Sequence, residues 1–98
     1  MEEAIYALEK AVRWNKKFLQ ARATLANAYL MNGQVDESIA VSKKVLEQQP
    51  EFAVAHNNLA IAYIEKGEYA LAIEHCDKAR DLGYDVAPQI LAELEKQR

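Results

Sequence analysis

A period of 34 residues constrains the fold of this 98-residue chain more than any other feature. Gly33 and Gly67 lie 34 residues apart, and several other residues recur at the same offset. These are Leu25-Ala26 with Leu59-Ala60, Ala28-Tyr29 with Ala62-Tyr63, and Ile5 with Ile39 and Ile73. A unit of this length buries its apolar face only on its neighbours, so we expect one linear array of stacked repeats.

The apolar spacing within each repeat is helical, because the residues recur at three and four positions rather than at two. The chain holds only 3 glycines and 2 prolines, and Gly33 and Gly67 fall just after an apolar stripe, where a left-handed residue ends a helix. The connections are short, so sequential helices are expected to be antiparallel and the fold class all-α. We predict about six helices, at 2–14, 19–32, 35–48, 53–66, 69–82 and 87–97.

Small residues on the predicted helices indicate close packing. Ala26 and Ala60 stand where a large side chain would hold two helices apart, and Ser38 and Ala72 are small on the helices that follow. Cys76 also falls on an apolar stripe, which predicts a buried structural thiol.

The pattern Leu-Ala-x-Ala-Tyr, then Gly, then Ala/Ser-Ile, then Pro, at this spacing, resembles the tetratricopeptide repeat. The resemblance covers essentially the whole chain and implies a right-handed superhelix of antiparallel helix pairs, an α-solenoid. It implies a single module over 1–98: the second helix of an incomplete repeat at 1–18, repeats at 19–52 and 53–86, and a C-terminal solvating helix at 87–98. Departures from the family pattern occur at Lys16, Arg22, Ser42, His56, Cys76 and Tyr84.

Composition excludes several classes of protein. Charged residues make up 28% of the chain and sum to −3 at pH 7, which argues against a broad basic face for nucleic acid. No run of 18 apolar residues is present, so no membrane insertion is expected. The single cysteine cannot form an internal disulfide and the N-terminus lacks a signal-peptide pattern, so we expect a cytoplasmic protein.

No catalytic, metal or cofactor site is predicted. His75, Cys76 and Asp77 are consecutive on a predicted helix, where neighbours diverge by about 100° and cannot close on one ion. The residues three and four positions from His56 and His75 are not metal ligands that could complete a site. The chain also lacks a nucleophile elbow and a glycine-rich phosphate loop.

The most informative side chains form a row on the first helix of each repeat, on the face opposite its packing stripe. The resemblance implies that this face lines a concave groove that binds a protein or peptide segment. The candidate groove residues are Gln20, Thr24, Asn27, Leu30, Met31, Val54, Asn57, Asn58, Ile61 and Glu65.

Two asparagines of this face match a known arrangement in the family. Asn27 and Asn58 correspond to the pair that hydrogen-bonds the ligand in members that clamp a C-terminal carboxylate. The basic partners of that clamp are absent, since their places hold Ala23, Pro88 and Ala92. An amide both donates and accepts, which suits a peptide backbone, although plain solvated asparagines are an equal alternative. Either way, replacing Asn27 and Asn58 is expected to cost the fold little.

A second hypothesis is self-association through the opening helix. Its apolar band is wide enough for two partners, yet only the following helix is encoded, so one side is expected to stay exposed. The chain would then be a structural assembly element and a possible homodimer. The candidate edge residues are Ala4, Ile5, Leu8 and Val12.

Overall fold

The computed structural model describes Ile5 and residues 19–98. These residues form five α-helices and no strand. The helices are α1 (Leu19–Met31), α2 (Val35–Gln48), α3 (Ala53–Glu65), α4 (Tyr69–Asp81) and α5 (Pro88–Glu95). The predictions for these five helices are confirmed to within one or two residues at each end. The predicted helix at 2–14 lies outside the described residues, apart from Ile5, which is helical.

The helices pack in chain order. α1 packs on α2, α2 on α3, α3 on α4, and α4 on α5, while α1 also contacts α3 directly. The connections are too short to cross the stack, so each helix turns back along the one before it. The first helices of the two repeats, α1 and α3, therefore lie side by side, and the chain forms an α-solenoid.

The ends of α1 and α3 share one geometry, set by a glycine. Gly33 has φ +78° and Gly67 has φ +76°, a region that other residues enter only with strain. The amide that follows each glycine bonds back into the helix: Gln34 donates to the Tyr29 carbonyl at 2.8 Å, and Glu68 donates to the Tyr63 carbonyl at 2.9 Å. These reverse bonds satisfy the last carbonyls of each helix and fix the turn into the next.

The predicted packing stripes form the core. Leu25 and Leu59 are 4% and 1% exposed. The small residues predicted at the helix contacts, Ala26, Ser38, Ala60 and Ala72, are all fully buried, as is Cys76. The predictions of close helix packing and of a buried thiol are thus confirmed.

Ile5 corrects one element of the self-association hypothesis. Its side chain is 6% exposed and packs with Leu25, Ala28 and Tyr29, with Val41 beside them. Because the chain itself covers Ile5, this residue is not part of an exposed edge. The other three candidate edge residues, Ala4, Leu8 and Val12, lie outside the described residues.

Candidate functional site

A cleft of about 310 Å³ opens where α1 and α3 lie side by side, and we call it the α1–α3 cleft. Six of the ten candidate groove residues line it, together with Ala23 and with Tyr84 from the connection between α4 and α5. The six are Gln20, Thr24, Asn27, Val54, Asn57 and Asn58. These six candidates from the two helices therefore lie in one place.

The other four candidate groove residues do not line this cleft. Leu30 and Ile61 are half-buried, while Glu65 is exposed and Met31 is 68% exposed. Met31 and Glu65 are the last residues of their helices, one or two turns beyond the cleft. Contact of these four residues with a partner stays a prediction.

The lining of the α1–α3 cleft carries no formal charge, since it consists of amide, hydroxyl, phenol and aliphatic side chains. A bound carboxylate is normally held by arginine or lysine, or by a helix N-terminus. Pro88 and Ala92, which replace basic residues of the family's clamp, are exposed on α5. The lining of the cleft therefore offers no cation to a carboxylate.

Asn58 belongs to the fold rather than to the open surface, which corrects the expectation for this residue. It is 3% exposed, and its Nδ2 donates a hydrogen bond of 3.0 Å to the carbonyl oxygen of Ala23. This bond joins α3 to α1, so it connects one repeat to the next. The expectation that its replacement costs little rested on an exposed face, whereas the packing of α1 on α3 covers this face of α3.

Asn57, its neighbour in sequence, is in the opposite situation. It is 8% exposed, and its Oδ1 is buried without a hydrogen-bond partner among the described residues. Buried side-chain oxygens are nearly always paired, because an unmade hydrogen bond in the interior is costly. Asn57 is also one of the residues that line the α1–α3 cleft.

The polar groups on α1 differ from Asn57 in the hydrogen bonds that they can make with a ligand. The Thr24 hydroxyl donates to the Gln20 carbonyl at 2.9 Å, so toward a ligand this oxygen can only accept. Asn27 is exposed, and its Nδ2 has only a weak contact of 3.7 Å with the Met31 sulfur. Its amide is free to pair elsewhere.

A second feature, which the sequence did not indicate, lies between α3 and α4. His56 Nδ1 and His75 Nδ1 are 3.0 Å apart, and His56 Nε2 is 2.8 Å from the Pro50 carbonyl oxygen. The ring centroids are 5.3 Å apart. This distance is longer than the separation of the two nitrogens by about two ring radii, so both nitrogens lie between the ring centres. The rings therefore meet edge to edge, as in a direct N–H···N hydrogen bond. Sequence analysis considered each histidine only against its own helix and therefore missed the pair.

The histidine pair borders a cleft of about 410 Å³ that is lined on α4 by Glu74, Asp77, Lys78 and Asp81. Within the part of the chain that the structure describes, no three histidine, cysteine or acidic side chains are grouped so as to hold a metal ion. Cys76 lies deeper in α4, and burial raises the pKa of its thiol, with the charge of Asp77 adding to the effect. The described geometry therefore favours a structural thiol over a reactive one.

Comparison with known proteins agrees with this architecture. A family model described as tetratricopeptide repeat matches residues 23–85, more than half of the chain, and a second model of the same description matches residues 1–41. The chain belongs to the tetratricopeptide repeat family. This assignment supports a general role in protein interaction or assembly.

One curated relative of this tetratricopeptide repeat protein is Photosystem I assembly protein Ycf3 of Prochlorococcus marinus subsp. pastoris. The two are 32% identical over 66 residues, which cover 67% of this chain and 38% of the relative. The chain thus matches well under half of the relative's length. Among the described residues, no helix is both long and apolar enough to cross a membrane.

Proposed function

We propose that this chain binds a protein or peptide segment noncovalently in the α1–α3 cleft, without catalysis. The observation that carries the proposal is the uncharged lining of the cleft between two repeats. Its amides and hydroxyl can pair with a ligand, and Val54 and Tyr84 provide apolar contact. Peptide recognition combines pairing of backbone groups with burial of a few side chains. The cleft volume of about 310 Å³ suits a short stretch of extended chain.

The family and the relative support the same class of work. Stacked helix pairs contact only their neighbours and leave a long surface free for a partner. The name of the relative describes assembly of a photosystem, and an assembly factor must hold the proteins that it assembles. We infer that this chain likewise holds a protein partner, whose chemistry is set by the cleft. A reducing compartment such as the cytoplasm fits its buried free thiol.

Self-association remains the alternative, carried by Ala4, Leu8 and Val12 as candidate edge residues. The two functions differ in what a purified chain does alone. We expect light scattering after size-exclusion chromatography to show a monomer at all concentrations. A tight dimer that Leu8→Glu converts to a monomer would support the assembly element instead.

The direct test of the cleft is selection from a displayed library of random short peptides against the full chain. Enriched peptides are then titrated against the chain and against Asn27→Arg, which places a long charged side chain over the cleft from an exposed position. The matched control is Ala40→Arg, the same addition at an exposed position of α2 outside the cleft. We expect Asn27→Arg to weaken binding about tenfold or more and Ala40→Arg to leave it unchanged.

Two results would contradict the proposal. One is a library that yields no binder to the folded chain. The other is a set of binders whose affinity is the same for the chain and for Asn27→Arg, since they would then use another surface.

A further inference from the structure

We propose that Asn57 selects the ligand: its Oδ1 accepts a hydrogen bond from a backbone N–H of the partner, and the α1–α3 cleft thereby takes an internal, uncharged stretch of peptide rather than a terminal carboxylate. This inference rests on the proposed function and adds the chemistry of the partner. It also moves the recognition role from Asn58, which the family resemblance indicated, to the residue before it.

The unpaired oxygen carries the inference. Asn57 is more than nine-tenths buried, and its Oδ1 has no hydrogen-bond partner within the described part of the chain. A buried amide oxygen without a partner is costly to the unbound protein. A ligand that donates an N–H to this oxygen removes that cost when it binds, whereas a ligand that brings only acceptors does not.

Asn58 is not available for the same task. Its Nδ2 is already bonded to the Ala23 carbonyl at 3.0 Å, in a position only 3% exposed. The two asparagines therefore differ in role: Asn58 joins α3 to α1, while Asn57, which lines the cleft, has an oxygen without a partner in the described structure.

The preceding repeat shows that the helix contact does not need an amide at the position of Asn57. Ala23 holds the equivalent position one period earlier and is fully buried. The chain thus carries a polar side chain in the second repeat where the first repeat packs an alanine. Replacing Asn57 by alanine copies an arrangement that this fold already contains.

A carboxylate is the wrong partner for this cleft. Both carboxylate oxygens only accept hydrogen bonds, as do the Asn57 Oδ1 and, toward a ligand, the Thr24 hydroxyl. The lining supplies no cation to offset the loss of water from the charge. A backbone amide brings the missing donor without a charge.

The experiment uses a peptide enriched from the library and synthesised with an amidated C-terminus. A set of variants carries one N-methyl group each, which removes one backbone N–H donor at a time. Every variant is titrated against the chain and against Asn57→Ala. We expect one N-methyl position to weaken binding to the chain about tenfold or more and to have an effect within about twofold on Asn57→Ala.

A second substitution guards against an effect of folding. Asn57→Asp keeps an acceptor oxygen in the same place, so binding to it should remain sensitive at the same N-methyl position. Circular dichroism establishes that each variant is folded before titration.

The outcomes separate this inference from the proposed function. If no N-methyl position couples to Asn57 while Asn27→Arg still abolishes binding, the cleft binds peptides but Asn57 does not select them, and the inference is overturned. Enrichment confined to peptides with a free C-terminal carboxylate also overturns it. Failure of Asn27→Arg to affect any binder overturns the proposed function itself.

Discussion

His56 and His75 meet edge to edge across the contact of α3 with α4, with their Nδ1 atoms 3.0 Å apart. His56 Nε2 lies 2.8 Å from the Pro50 carbonyl oxygen, which can only accept, so this nitrogen carries the hydrogen. In neutral His56 the Nδ1 is then the acceptor, and His75 Nδ1–H is the donor. Tyr63 lies against the other side, with its ring centroid 5.7 Å from that of His75.

This pair predicts that stability falls in mild acid. Burial, and then the charge of His56, lower the pKa of His75 below 6.5; Lys43 acts in the same direction and Glu74 opposes it. Well above pH 6.5 His75 is neutral in both states, so its titration does not change the free energy of unfolding there. As the pH falls below this value, the unfolded chain takes up a proton that the folded chain resists, so the free energy of unfolding decreases until the lowered pKa is passed.

The measurement is urea unfolding between about pH 5 and pH 8. The matched control is His75→Val, because Val41 holds the equivalent position in the preceding repeat. We expect this change to remove much of the slope of stability against pH in that range. An unchanged slope in His75→Val would assign the pH dependence to other groups.

Asn57 and Asn58 should respond in opposite ways to the same substitution. Asn58→Ala removes a buried hydrogen bond between repeats and should lower the free energy of unfolding by about 1–3 kcal/mol. Asn57→Ala removes a buried oxygen that has no partner in the described structure, so stability should stay the same or rise. The urea midpoints of the two variants measure this difference in stability. Equal losses would mean that both amides are needed by the fold.

The cost of replacing Gly67 should depend on how readily the new residue adopts the left-handed backbone conformation. A Cβ added there meets nothing within 4 Å, so the cost of Gly67→Ala comes from φ +76° alone. We expect a loss of about 1–2 kcal/mol, because alanine enters this region with strain. Gly67→Asn should cost less, since asparagine adopts the left-handed conformation more readily. Thermal unfolding of the two variants would refute this ranking if alanine were the better tolerated.

Truncation of a buried leucine should lower stability more than truncation of an exposed one. Leu59 is 1% exposed, so Leu59→Ala should cost about 2–5 kcal/mol through lost burial and the cavity left behind. Leu71 is 38% exposed and provides the control with identical chemistry, for which we expect under about 1 kcal/mol. Unfolding of Leu59→Ala should remain a single transition, because each repeat depends on its neighbour. Similar midpoints for both variants would contradict the assigned core.

Much of this fold follows from the spacing of residues along the chain. The recurrence of Leu25 and Tyr29 as Leu59 and Tyr63 fixes which face of α1 and α3 is buried, because a helix places residues three and four apart on one face. Gly33 and Gly67 fix where these helices end. Both effects are local or repeat at a constant interval, so the sequence alone predicted the five described helices and six of the eight residues that line the α1–α3 cleft.

The tertiary structure decided which polar groups are used and which are left over. Asn57 and Asn58 are adjacent and point about 100° apart on one helix, so only the position of α1 against α3 determines that Asn58 reaches the Ala23 carbonyl while the Asn57 oxygen remains unpaired. His56 and His75 are 19 residues apart on different helices, and no spacing on either helix brings them together. Hydrogen bonds have a range of about 3 Å and depend on direction, so they are settled only when helices from different parts of the chain come into contact.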